Sequence, residues 1–439
     1  VKTAGPEGVL AQRGEWDWPL RTPEPDLERA AEAALKPLAK RARKDDVKPI
    51  FASDLKRRTA RLVEHGAELE LALDQGVVRA GRRTAPFAEL EIEVKAGAPS
   101  AVFPLARELL AEPGLRIGMA TKASRGFALA AGGTLQAVKA DELDLSPDMT
   151  VAQAEAAIIR SCAVQVAANV PAVLDRRLPD GVHQMRVALR RLRAALTLFK
   201  ETMPAEDRKR LRSQAGALAK ALGPARELDV LVAGPLKEAL PPPELVRDMK
   251  ALAARVARAR REAWLAAMKS VESPACGLLV LDLAERAALL GDESWPGSHD
   301  AVALPQMARD ALDDRYEIVL ALGHSIDTLT VLQRHELRLA LKKLRYAADF
   351  FSGLFPRKAV RAGLKALTEL QDALGGFNDA ASTAALLDAA AAAAPEKARP
   401  ALERAGLFVK GWSASRADQA WASARECWEA LAGKKPFWR

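Results

Sequence analysis

Aromatic residues are scarce in this chain: they make up 5% of its 439 residues, and only two are tyrosines. Readers of single-stranded nucleic acid commonly stack bases on aromatic side chains. The composition therefore disfavours base reading and leaves only backbone contact open to a nucleic acid. Cysteine is rarer still, at Cys162, Cys276 and Cys427. No two of these have metal-ligand spacing, and an odd number of distant thiols is not a disulfide framework. A reducing, cytoplasmic setting is expected. No apolar run reaches about 18 residues, so no membrane span is read. No P-loop, CxxC pair or Ser/His/Asp order appears. The excess of base over acid is small, 66 against 57, for a net charge of +9. A polyanion partner must therefore be argued from local clusters. The chain opens with Val1 rather than Met, which leaves a preceding targeting segment open.

A chain of 439 residues exceeds one ordinary core, so two or more domains are expected. Residues 1–130 alternate mostly like strands. Glu68, Glu70 and Asp74 oppose Leu69, Leu71 and Leu73, with a Gln75-Gly76 turn expected next. Phe87 to Lys95 alternates with period two, setting Glu89, Glu91, Glu93 and Lys95 against Leu90, Ile92 and Val94. An ordinary sheet with one wet face explains this. The other reading is a barrel with a charged interior, where carboxylates would hold Mg²⁺ or Mn²⁺ and basic residues phosphates. A helix is expected over 100–111. Residues 133–148 read as a linker.

From residue 149 the pattern is helical. Its main feature is a basic stripe that occurs twice, 152 residues apart. His183, Arg186, Arg190 and Arg193 form the first copy; His335, Arg338, Lys342 and Arg345 form the second. At about 100° per residue each quartet falls within about a quarter of the helix circumference. Eight of the 18 positions in 182–199 are identical to those in 334–351. Pro204 matches Pro356, and Leu222-Gly223 matches Leu374-Gly375. This indicates internal duplication, with two pseudo-symmetric helical bundles. Met185, Leu189, Leu192, Leu196 and Phe199 should face a core, and Asp180 is placed to cap the helix. One such helix alone is an ordinary solvated basic face, and duplication with conserved spacing argues for more. Lys209, Arg212, Lys220, Arg226, Arg361 and Lys365 are accessory candidates. An unperturbed histidine at a stripe's start would titrate near about pH 6.5. No metal-ligand spacing and no catalytic constellation accompanies either stripe.

The doubled His-x-x-Arg-x-x-x-basic-basic-Leu-Arg, with a Leu-Gly turn after each copy and the ending Lys434-Lys435-Pro436-Phe437-Trp438, resembles the CHAD domain over residues 149–439. The resemblance implies a pair of four-helix bundles, repeat one about 149–300 and repeat two about 301–439. It also implies no cofactor and binding of inorganic polyphosphate by the two quartets, in some cases on polyphosphate granules. Asn378 and Asp379 stand where Arg226 and Glu227 do in the first repeat, so the turn arginine is not symmetric. Rows of Arg and Lys suit a flexible phosphate chain without bases.

Residues 1–132 resemble a CYTH, or triphosphate-tunnel, domain. The stretches that carry this are Arg13-Gly-Glu15-Trp16-Asp-Trp18-Pro19, Lys56-Arg57-Arg58, Glu68 to Asp74, Glu89 to Lys95 and Lys122-Ala-Ser-Arg125-Gly-Phe127. The resemblance implies metal-dependent hydrolysis of triphosphate, with Glu89, Glu91 and Glu93 holding Mg²⁺ or Mn²⁺. It also implies that Lys2, Arg57, Lys122 and Arg125 hold phosphate. The family's first ExExK strand has no counterpart here, so an incomplete tunnel with weak hydrolysis is expected. The fold class expected is α+β: a partial antiparallel barrel followed by an all-α duplicated domain.

Overall fold

The computed structural model describes residue 19 and residues 48–112, 114–291 and 302–439. The expected phosphate ligand Lys2 and the Arg13–Trp18 motif lie outside them. The fold is α+β. Three strands, β1 (Ala52–Glu64), β2 (Ala67–Ala80) and β3 (Arg83–Ala96), form an antiparallel sheet in the order β1-β2-β3. Among the described residues the sheet is open rather than closed into a barrel. A two-residue turn at His65 and Gly66, both at positive φ, joins the first two strands.

The expected Gln75-Gly76 turn does not form, because β2 runs straight through it. A Cβ at Gly76 would lie 2.1 Å from the Asp54 carbonyl oxygen on β1. Glycine here admits a close strand approach instead of reversing the chain.

The two faces of the sheet differ. Leu69, Leu71, Ile92 and Val94 pack on α1 (Val102–Ala111), through Phe103 and Leu105. The other face carries the charged residues and is partly covered by α2 (Lys122–Ala131). Residues 133–147 contain neither helix nor strand. They are nonetheless tied down, since Asn169 bonds both backbone groups of Val138 and Leu145 is buried.

The helical part runs α3 (Val151–Leu174), α4 (Pro179–Leu198), α5 (Ala205–Ala221), α6 (Gly223–Ala233), α7 (Val246–Glu272) and α8 (Pro274–Gly291). It continues as α9 (Leu304–Gly323), α10 (Val331–Phe350), α11 (Arg357–Ala373), α12 (Gly375–Ala392) and α13 (Arg399–Ala432). The boundaries of α4 and α5 recur in α10 and α11 at the offset of 152. Proline sets both repeats in the same way, with Pro204 and Pro356 as the N-cap residues of α5 and α11. The symmetry then fails: α7 and α8 answer to the single α13, 34 residues long.

Nor are the two bundles separately cored. Val151, Ala154 and Ile158 of α3 pack with α9, α10 and α11 of the second repeat. A third core joins α6 and α7 to α12 and α13. Met185, Leu189, Leu192 and Leu196 face the first repeat's core as expected, while Phe199 meets Phe351 edge-on in the shared one.

Two further expectations change. Asp180 does not cap α4: Leu178 is the N-cap residue, and Asp180 sits in the first turn without a capping bond. The helix α3 is long and apolar enough to cross a membrane by composition alone. Its buried polar groups give it a different place. Glu155 bonds Thr202 and Arg286, Gln165 bonds Gln184, and Asn169 bonds Val138. A central core helix satisfies such groups inside the protein, as α3 does here.

Candidate functional site: a composite basic groove and an acidic sheet face

The stripes of α4 and α10 meet. Arg190 of the first repeat lowers the pKa of both Arg338 and Lys342 of the second. Such an effect requires Arg190 to lie close to both, in partly desolvated surroundings. Burial is the largest cause at each. It pushes Lys342 down to about 7, with Arg338, Arg190 and Arg345 adding repulsion and Asp379 opposing it. His183 is pushed down to about 4 by burial and then by Arg226 and Arg190. It is therefore a neutral imidazole at physiological pH, not the switch near about 6.5 that an unperturbed ring would be. Arg186 is lowered by burial, then by Arg190, with Glu227 opposing.

The turns complete the site. Arg186 donates to the Ala219 carbonyl at the end of α5. Its guanidinium lies 3.1 Å from where a Cβ on Gly223 would be, and that of Arg338 lies 4.0 Å from a Cβ on Gly375. The Leu-Gly turns thus leave room for the stripe arginines. They also bring the starts of α6 and α12, where the helix dipoles are positive, to the same place. Each turn supplies one acid at matched register. Glu227 acts on Arg186, and Asp379 lies 4.0 Å from Arg338. Asp379 keeps 55% of its side chain open to water. Local crowding nevertheless raises its pKa more than Arg338 and Lys342 lower it.

The groove therefore gathers His183, Arg186, Arg190, Arg226, Arg338, Lys342 and Arg345, with Glu227 and Asp379 as the facing acids. Among the described residues the buried Nε atoms of Arg190 and Arg338 have no hydrogen-bond partner. Other candidates lie apart. Arg193 is exposed and perturbs Arg212, which bonds the Arg193 carbonyl at 3.0 Å and the Thr197 hydroxyl. His335, Lys209, Lys220 and Arg361 are exposed. Lys365 pairs with Glu369 at 3.6 Å.

Arg191, the second basic residue of its pair, is buried. It bonds Gln165 at 2.9 Å, lies 4.0 Å from Asp349 and stacks over Phe350. It fastens α4 to α3 and α10 and does not line the groove. Its counterpart Lys343 is exposed, a difference the repeated motif conceals.

On the sheet, Asp74, Glu89 and Glu91 bring carboxylate oxygens within 4.8 Å of one another. Register sets this, with Arg57 opposite Asp74 and Asp74 opposite Glu89. Asp74 is the residue that alternation alone did not single out as a ligand. Glu93, expected beside Glu89 and Glu91, instead pairs with Lys95 at 2.9 Å and stands outside the cluster.

Of the residues expected to hold phosphate, Arg57, Lys122 and Arg125 lie at this cluster. Thr121 caps α2 by accepting from the Ser124 N–H, which puts Lys122 and Arg125 on one face of the first turn. Lys122 reaches Asp74 at 2.7 Å, Glu91 at 3.0 Å and also Glu89. Arg125 reaches Glu89 at 3.2 Å, and Arg57 holds Asp74 at 2.6 Å. The Arg57 bond, with Lys122 beside it, brings Asp74 down to about 2. Hard oxygen donors in this number suit Mg²⁺ or Mn²⁺. The ammonium of Lys122 already touches all three acids, so a divalent ion would have to displace it.

Comparison with known proteins finds matches over both parts of the chain. The family model of the CHAD domain matches residues 157–388, more than half of the chain. The chain belongs to the CHAD family. A CYTH domain matches residues 1–127. Over 84 residues the chain is 37% identical to an inorganic triphosphatase of Haemophilus influenzae, a match covering 19% of this chain and 24% of that protein. The chain thus spans about a quarter of that relative's length. The crystal structure of the CHAD domain from the plant Ricinus communis aligns at a TM-score of 0.56 with 29% identity. It covers 66% of this chain and 96% of that one. PptA from Streptomyces chartreusis aligns at 0.44 with 20% identity over 64% of this chain and 100% of its own, too slight a likeness to argue from.

Two outcomes follow from the groove. Gly223→Ala should crowd Arg186 and weaken anion binding by about tenfold, or ~1.4 kcal/mol, whereas Gly375→Ala meets only ordinary contact and should leave it unchanged; titration with tripolyphosphate compares the two. The second concerns protons. The folded Lys342 value of about 7 lies below the unfolded one of about 10.4, so stability should rise with pH between those values. A bound anion favours the charged amine. Binding of tripolyphosphate as an anionic probe should then take up a proton above pH 7, and its affinity should fall as pH rises from 7 to 9. Calorimetry in buffers of different ionisation enthalpy reads both.

Proposed function

We propose that this CHAD domain binds inorganic polyphosphate along the groove between α4 and α10. The observation that carries the reading is the under-neutralised cluster. Six cationic side chains from two repeats converge with two acids beside them, and the buried Nε atoms of Arg190 and Arg338 lack partners among the described residues. Burial of unpaired cations is unfavourable. A phosphate chain relieves it by supplying an oxygen anion at each repeat unit, which forked guanidiniums receive through paired hydrogen bonds. Among the described residues the aromatic side chain that stacks with a groove cation is Tyr346, beneath Arg345 at 4.8 Å. The chemistry thus favours a bare phosphate chain over stacked bases. Residence on polyphosphate granules in the cytoplasm belongs to the same proposal.

Changing Arg186, Arg190, Arg338 and Lys342 together to Glu should abolish capture of long-chain polyphosphate while circular dichroism shows the helices intact. Wild-type affinity should fall steeply with salt, and polyphosphate should outcompete duplex DNA of equal charge. Equal competition would reassign the groove to polyanions in general.

A second reading attaches to the sheet. The cluster of Asp74, Glu89 and Glu91 with Arg57, Lys122 and Arg125, together with the likeness to an inorganic triphosphatase, supports metal-dependent hydrolysis of triphosphate there. The acids would hold Mg²⁺ or Mn²⁺, which would supply charge stabilisation on phosphate oxygens. Lys122, once released from the acids, would orient a phosphate group. Phosphate release from triphosphate in Mg²⁺ or Mn²⁺, lost in Asp74→Asn, is the expected outcome. No release, or release indifferent to that change, removes the reading.

A further inference from the structure

Lys122 stands where the acids of the sheet would hold a cation. Its ammonium lies 2.7 Å from an Asp74 oxygen and 3.0 Å from a Glu91 oxygen, and it also touches Glu89. These are the three residues whose carboxylate oxygens come within 4.8 Å of one another. A compact ammonium is the side-chain group closest in kind to a small metal cation.

The cluster is already balanced. Arg57 takes both oxygens of Asp74, at 2.7 and 2.6 Å, and reaches Glu91 at 3.1 Å. Arg125 holds Glu89 at 3.2 Å. Arg57, Lys122 and Arg125 thus match Asp74, Glu89 and Glu91 charge for charge. The Asp74 carboxylate is wholly buried and Lys122 partly so. Displaced by a divalent ion alone, Lys122 would lose its partners inside this cluster, and a partly buried charge without a partner is unfavourable. Phosphate oxygens arriving with the ion would give the ammonium a new partner.

Lys122 is also the cation best able to leave. Arg57 grips Asp74 with a two-bond fork from the neighbouring strand, and strand register sets that grip. Lys122 instead carries a single point charge on a flexible stem, in the first turn of α2.

We propose that Lys122 makes the sheet site selective for a metal–triphosphate complex over the free metal ion, by filling the cation position until a phosphate group draws it away. The inference rests on the reading of the sheet as a triphosphate site and adds to it what the site accepts. Metal and triphosphate should then strengthen each other's binding, a coupling that passes through this one side chain.

Mn²⁺ binding to the full chain is followed through the electron paramagnetic resonance signal of the free ion. Lys122→Met should bind Mn²⁺ about tenfold tighter than wild type, whereas Lys122→Arg, which keeps the charge, should show no gain. The preformed Mn²⁺ complex of imidotriphosphate, which resists hydrolysis, is then compared with Mn²⁺ alone by calorimetry. Glu91→Gln serves as the blank for complex held elsewhere, including the basic groove. Wild type should prefer the complex by about tenfold, and Lys122→Met should lose that preference. Equal Mn²⁺ affinity in folded wild type and Lys122→Met would overturn the proposal and leave the sheet reading standing. If Lys122→Met fails to fold by circular dichroism, wild type decides: Mn²⁺ alone bound as tightly as the complex overturns the proposal. Mn²⁺ binding by neither protein in either form would sink the sheet reading and this inference together. Tighter Mn²⁺ binding in Lys122→Met, without phosphate release from triphosphate by wild type, would remove hydrolysis and keep the control by Lys122.

Discussion

Apolar burial holds like charges together in this protein. Cations on α4 and α10 repel one another at close range, yet the helices that carry them are fixed by their other faces. Met185, Leu189 and Leu192 are fully buried, as are Leu337, Leu341 and Leu344 on the matching helix. Burying a side chain of this size contributes about 1.5–3 kcal/mol, and several act on each helix. That is enough to offset the repulsion and keep the groove in place when no anion is bound. Burial first, and then these neighbouring cations, depress the pKa of Lys342, and an anionic ligand offsets the second of the two.

Sharing of cores makes the groove composite. If each repeat had its own core, the two stripes could drift apart on separate bundles. Instead α3 packs against helices of both repeats, and Arg191 links α4 to α3 and α10. The sheet module joins the same framework. Asp282 on α8 accepts from Arg107 of α1 and from Arg210 of α5. Buried ion pairs of this kind add little net stability but fix relative position. The acidic sheet face and the basic groove thus sit on one connected scaffold and remain chemically distinct. On the sheet Asp74, Glu89 and Glu91 each have a base within reach, whereas in the groove cations outnumber acids.

Much of this was legible in the residues. Period-two alternation gave β2 and β3, and the offset of 152 gave the matched helices to the residue. Where reading failed, the reason was a neighbouring residue that took the expected role or a strand laid alongside. Gly76 looks like a turn until β1 lies beside it. Asp180 looks like a cap until Leu178 takes that place. Glu93 looks like a ligand with Glu89 and Glu91 until Lys95 claims it, and Asp74 joins only when β2 is set in register with β3. Asp379 could have been found from the repeat itself, since it stands at the register of Glu227.

The sequence by itself determined the charge pattern, the duplication and which face of each helix is apolar, because these follow from residue type and the 3.6-residue helical period. Only the tertiary structure decided which cations meet. His183 and His335 occupy the same place in the motif, yet one is half-buried and neutral while the other is exposed. Arg191 and Lys343 likewise match in sequence, and one is a core fastener while the other faces water. Desolvation and proximity set the ionisation of a side chain, and both belong to the packed surroundings rather than to the motif.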